Sequence, residues 1–191
     1  TGNQVTETSN SVYSGGGAIN HRGGMLVFNS DATFDGNNSA SQGGAIISGG
    51  DMIFNGATEF NGNSAGKSGG ALAIMGGNTI FEGPTSFTNN TAAGASAIFV
   101  SEVADTVTFR DSATFTNNTG VGTLLNNKST SSVLFDSGAT FSDNTNQYNG
   151  ALVNTGIVTV GGGDLVFTDN TGSNGGGLKS SGTVSVNTTG N

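Results

Sequence analysis

The 191-residue chain contains no cysteine and no tryptophan, and only one histidine and one proline. Without cysteine there are no disulfides and no thiol chemistry. A lone His21 excludes a histidine cluster and reads as a surface turn residue behind the first strand. Arg22, Lys67, Arg110, Lys128 and Lys179 are the only basic residues, against 13 Asp and Glu, and the net charge is -8. That balance leaves no electrostatic footprint for nucleic acid or for an anionic membrane surface. No apolar run approaches the length of a bilayer span, and no amino-terminal signal pattern is present. A P-loop, a zinc spacing and a Gly-x-Ser-x-Gly elbow are absent too.

Glycine is abundant, at 34 residues, and with so much Ser, Thr and Asn it would suggest low-complexity disorder. The phenylalanines argue otherwise. Eleven of the twelve fall into two columns: Phe28, Phe54, Phe81, Phe109 and Phe135, then Phe34, Phe60, Phe87, Phe115, Phe141 and Phe167. Only Phe99 stands outside them. Aromatics placed at fixed intervals mark a folded repeat.

Two tetrapeptides alternate within that repeat. Phe-x-x-Asn occurs as Phe34…Asn37, Phe60…Asn63, Phe87…Asn90, Phe115…Asn118, Phe141…Asn144 and Phe167…Asn170, at steps of 26, 27, 28, 26 and 26 residues. Gly-Gly-Ala-Ile/Leu occurs as Gly16-Gly17-Ala18-Ile19, Gly43-Gly44-Ala45-Ile46 and Gly69-Gly70-Ala71-Leu72. Degenerate copies follow at Ala95–Ile98, Gly122–Leu125, Asn149–Leu152 and Gly175–Leu178. The apolar runs are short, rich in β-branched and aromatic residues and bounded by turn formers, so they read as strands, and no window sustains a helical period.

The spacing predicts an all-β, right-handed parallel β-helix of six to seven coils, about 26 residues and three short strands per coil. The first strand carries Ile19, Ile46, Leu72, Ile98, Leu125, Leu152 and Leu178; the second and third end on the two Phe columns. In the third strand Ala32, Thr58, Thr85, Ala113, Ala139 and Leu165 share the inward face of the Phe, while Thr33, Glu59, Ser86, Thr114, Thr140 and Val166 point outward. One domain is expected over 1–191: a partial coil at 1–14, in which Asn10 occupies the Asn column, full coils over 15–174 and a partial coil over 175–191. The chain enters and leaves inside the pattern and reads as part of something longer.

The Gly pairs are expected where a turn enters a strand, and the Asn column where left-handed backbone or an Asn ladder is needed. Insertions at 99–106 and 126–132 are candidate surface loops, and Gly161-Gly162-Gly163 predicts a bulge or bend. Asp31, Asp35, Asp111, Asp136, Asp143 and Asp169 are the carboxylates that a glycan-active site or a calcium site would recruit. Their place rotates from coil to coil, which favours turn formers, and the calcium-binding nonapeptide is missing. Catalytic residues, metals and cofactors are therefore not expected. Sequons at Asn37, Asn89, Asn117 and Asn187 coincide with repeat turns.

The alternation of the two tetrapeptides resembles the chlamydial polymorphic membrane proteins, and the likeness covers nearly the whole chain. That resemblance implies an autotransporter: an exported β-helix passenger displayed on the bacterial outer membrane, with the membrane reached only through a separate barrel domain. It also implies adhesion to host cells, with the Phe-x-x-Asn and Gly-Gly-Ala residues as motif residues and a host surface protein or glycan as partner. A second role is that of a spacer rod, a third that of a glycan-active enzyme. The β-helix ends are expected to be sites of self-association.

Overall fold

The structure is a computed structural model that describes residues 5–8, 11–12, 15–101 and 105–187. Asn10 and residues 102–104 of the first insertion lie outside the described residues. All regular structure among the described residues is strand, wound into a parallel β-solenoid.

The second full coil shows the plan. Ile46–Ser48 belongs to sheet 1, Asp51–Phe54 to sheet 2, Thr58–Asn61 to sheet 3 and Ser64–Ala65 to sheet 4. Each strand pairs in parallel with its equivalent one coil away, so that Ile46 lies against Leu72, Phe54 against Phe81 and Phe60 against Phe87. Among the described residues sheets 1, 2 and 3 each contain seven strands and sheet 4 six, with a single bridge from Thr145 to Thr171 continuing the last. Seven strands at the parallel-sheet spacing make a rod of about 29 Å.

The three longer strands are those expected from the sequence; sheet 4 is additional. Its strands, such as Asn38–Ser39 and Thr91–Ala92, are two residues long and carry no hydrophobic alternation. They are extended because the chain must leave the Phe-x-x-Asn turn and reach the next Gly-Gly, and pairing across coils satisfies its backbone groups.

The core is a pile of phenylalanines. Nine of them are fully buried, Phe28 nearly so, and Phe167 half-buried. Rings within a column stack with centroids 4.5–5.3 Å apart, and rings of the two columns meet edge to face at 5.7–6.5 Å. Both arrangements are favourable for the aromatic quadrupole, adding about 0.5–1.5 kcal/mol per pair beyond area burial. Sheet 1 closes the core with Ile46, Leu72, Ile98, Leu124 and Leu152, all fully buried. Here the structure corrects the sequence reading at one residue. Leu124, not Leu125, pairs with Ile98 and Leu152, because the register slips between Ala95/Gly122 and Ile98/Leu124. Leu125 stands outside, beside Phe99 and Val153.

The glycine run 161–163 forms the expected bend, without a bulge in the flanking strands. It lengthens the turn between sheets 2 and 3, Gly163 taking a φ of 68°, and Leu165–Thr168 stays in register with Ala139–Ser142. The two insertions fall on the same corner, between sheets 1 and 2, in adjacent coils.

Candidate adhesion surface

The residues expected to carry adhesion are interior. In the Phe-x-x-Asn units Phe34, Phe60, Phe87, Phe115 and Phe141 are 0% exposed, as are Asn37, Asn63, Asn90, Asn118 and Asn144. Only the last unit, Phe167 and Asn170, is half-buried. The same holds for Ala45, Ile46, Ala71 and Leu72; in the first coil Gly16 and Gly17 are buried, and Ala18 and Ile19 partly so.

Chemistry explains the placement. Each Asn side chain is a rung in a ladder. Asn63 Nδ2 donates to Asn90 Oδ1 at 3.0 Å and to the Phe34 carbonyl at 2.9 Å. Asn63 Oδ1 accepts from the Asn37 amide and from Asn37 Nδ2, both at 3.0 Å. The pattern repeats through Asn90, Asn118 and Asn144 to Asn170. An interior rung thus uses both its N–H groups and both oxygen lone pairs, which is what burial of a primary amide requires. The left-handed backbone expected of the motif Asn belongs to the residue before it: Asn89, Asn117, Asp143 and Asp169 have φ of 52–57°, and Gly36 and Gly62 take 63°.

The Gly-Gly pair is as constrained. Gly43 has a φ of +65°. A Cβ on Gly44 would sit 1.9 Å from the Gly70 carbonyl oxygen, and one on Gly70 would sit 2.0 Å from that of Ser96. The coils touch backbone to backbone there, and only glycine fits.

A second polar column escaped the sequence reading. Asn126 Nδ2 donates to Asn154 Oδ1 at 2.8 Å, and Asn154 Nδ2 to Ser180 Oγ at 3.2 Å. Ser131 Oγ donates to Asn126 Oδ1 at 2.6 Å and closes the second insertion. The signal was present as a polar residue two places after Leu124, Leu152 and Leu178. His21 belongs to the same column: it lies within a strand, not a turn, and its Nδ1 shares a 2.8 Å hydrogen bond with Ser48 Oγ.

The carboxylates behave as turn and ladder formers. Asp31 accepts the Ala57 amide, Asp35 accepts Asn61 Nδ2, and Asp111 accepts the Ser112 amide. Asp143 and Asp169 hold the left-handed position of their turns. Among the described residues no group of three or more His, Cys, Asp or Glu comes together as a metal site. Arg110 Nη1 donates to Asp136 Oδ2 at 2.7 Å, and this bond with the Asp136 charge raises the guanidinium pKa above its ordinary value. Of the sequons, Asn37 is buried in the ladder, Asn89 and Asn117 are exposed, and the one at Asn187 extends beyond the described residues.

What faces outward differs from sheet to sheet. Sheet 3 presents Thr33, Glu59, Ser86, Thr114 and Thr140, and sheet 2 presents Val27, Ile53, Ile80 and Leu134. The family model of the Chlamydia polymorphic membrane protein repeat matches residues 31–48 and 57–74. Over those two spans the chain is similar to the polymorphic membrane protein repeat. Each matched span begins in the turn before sheet 3 and ends in sheet 1, so the polymorphic membrane protein repeat corresponds to consecutive strands of sheets 3, 4 and 1, holding one Phe-x-x-Asn and the following Gly-Gly-Ala. The sheets continue the same register through coils that the match leaves out. The repeat and the solenoid together fit a surface autotransporter passenger. No curated protein and no solved structure matches the chain.

Proposed function

We propose that the chain is a segment of a surface-displayed autotransporter passenger that attaches a bacterium to host cells through outward-facing side chains of the solenoid. The observation that carries this reading is the polymorphic membrane protein repeat on a rod whose motif residues are consumed by its interior. The motifs then serve adhesion indirectly, by holding the outer columns at fixed spacing. The partner is a host cell-surface protein or glycan, and the chain acts by binding and not by catalysis. Unbroken seven-stranded sheets also favour a spacer rod that carries a binding tip elsewhere. Attachment of the fluorescently labelled 191-residue chain to cultured epithelial cells separates the two. Saturable attachment that unlabelled chain competes and heat unfolding abolishes supports adhesion; no attachment by a chain that melts cooperatively leaves the spacer.

A further inference from the structure

A groove runs along the rod outside sheet 3. Its floor is the outward column Thr33, Glu59, Ser86 and Thr114, one residue per coil, and its bank is the turn that leads in from sheet 2, with Ala57 and Pro84. This stretch is an open trough with a volume of about 460 Å³. A second stretch shares Ser112 and Thr114 with the first and carries the groove on to Thr140 and Asp164. It therefore follows the coils from the first full coil to the sixth.

Charge, chemistry and period restrict what can lie there. No Lys, Arg or His lines either stretch, while Asp31, Glu59 and Asp164 do, on a chain of net charge -8. Sulfated or other anionic ligands are repelled. The hydroxyls of the floor both donate and accept, which suits a ligand that is itself covered in hydroxyls, and Ala57 and Pro84 offer apolar contact beside them. Floor and bank repeat once per coil, at about 4.8 Å. An extended peptide repeats its side chains on one face at about 6.7 Å and drifts out of step after two coils. An extended pyranose chain advances by slightly more than one strand spacing per ring, so it keeps nearer to the coil period than a peptide does.

We propose that this groove binds an uncharged, extended polysaccharide lying along the rod axis with one sugar ring per coil. The inference rests on the adhesion reading and gives its partner a chemical class. None of the outward floor residues belongs to Phe-x-x-Asn or Gly-Gly-Ala, so they can be changed without entering the core.

Titration calorimetry of the 191-residue chain with chitohexaose, cellohexaose and a heparin hexasaccharide provides the test. An uncharged hexasaccharide is expected to bind more tightly than its disaccharide, and heparin not to bind. The Ser86→Val/Thr114→Val variant, which places β-branched residues at both outward positions and loses two hydroxyls, is expected to bind about tenfold more weakly. Ile80→Thr, on the outer face of sheet 2, serves as the unaffected control. Failure of both uncharged hexasaccharides, or undiminished binding by the double variant, overturns the proposal. Cell attachment of the same preparations separates the two readings. Attachment without glycan binding removes the groove and leaves adhesion standing; glycan binding without attachment keeps the groove and removes adhesion.

Discussion

Replacing Asn90 by alanine removes one interior rung of the ladder, and the cost follows from its partners. Asn90 Oδ1 accepts from the Asn63 amide at 2.9 Å and from Asn63 Nδ2 at 3.0 Å. Its Nδ2 donates to the Phe60 carbonyl and to Asn118 Oδ1, both at 3.0 Å. Alanine leaves two donor hydrogens of Asn63 unpaired, at a site that is 0% exposed. Asn118 Oδ1 keeps its bond from the Asn90 amide. Two buried unpaired donors cost about 2–5 kcal/mol together. Asn170→Ala removes the half-buried last rung, where water can replace the lost acceptor, and is expected to cost about 1 kcal/mol. Urea unfolding, equilibrated from both the folded and unfolded sides, measures the difference. Because stability in a solenoid is a sum of neighbour terms, hydrogen exchange should localise the loss to the coils around Asn90. An Asn90→Ala midpoint equal to that of the parent, or a loss at Asn170→Ala as large as at Asn90→Ala, would refute the ladder as a source of stability.

Other substitutions follow the same geometry. Phe87→Ala empties a site stacked on Phe60 and Phe115 and should cost about 3–5 kcal/mol by urea unfolding. Gly44→Ala drives a methyl into the Gly70 carbonyl and should prevent cooperative melting, whereas a Cβ at Gly49 meets nothing nearer than 3.4 Å and Gly49→Ala should melt at or above the parent temperature. At Asn89, held at φ 57°, glycine should be neutral, while valine should cost about 1–2 kcal/mol in the same unfolding assay.

The fold was legible because the interior admits so few residue types. Phenylalanine must stack on phenylalanine at one position per coil, so Phe28 to Phe135 and Phe34 to Phe167 betray the period directly. Alternation in sheet 3 was equally readable, since a Thr or Ala two places before each Phe from Phe34 to Phe141 shares its buried side. Sheet 4 was not, because a two-residue strand such as Asn38–Ser39 has too little length for a period to appear. Leu124 and Leu125 are chemically alike, and only the register slip beside Gly122 decides which one turns inward. For the candidate site, the motifs stood out in the sequence because they build the interior of the rod. They recur because backbone contact between coils and full pairing of a buried amide leave few alternatives. The groove outside sheet 3 had no such mark. Its floor varies among Thr, Glu, Ser and, in the sixth coil, Val166, as an outward column is free to do.

That the motif residues are interior and the outer columns are free can be measured by thiol labelling, since the chain has no cysteine of its own. Single cysteines would replace Ala71 and Thr85, which are 0% and 3% exposed, and the outward-facing Ser86 and Thr114. Under native conditions Ser86→Cys and Thr114→Cys should react within about tenfold of the unfolded-chain rate. Ala71→Cys and Thr85→Cys should react orders of magnitude more slowly, at a rate set by opening of the coils. If Ala71→Cys in a cooperatively folded chain is labelled as fast as Ser86→Cys, the Gly-Gly-Ala motif lies at the surface and the account is wrong.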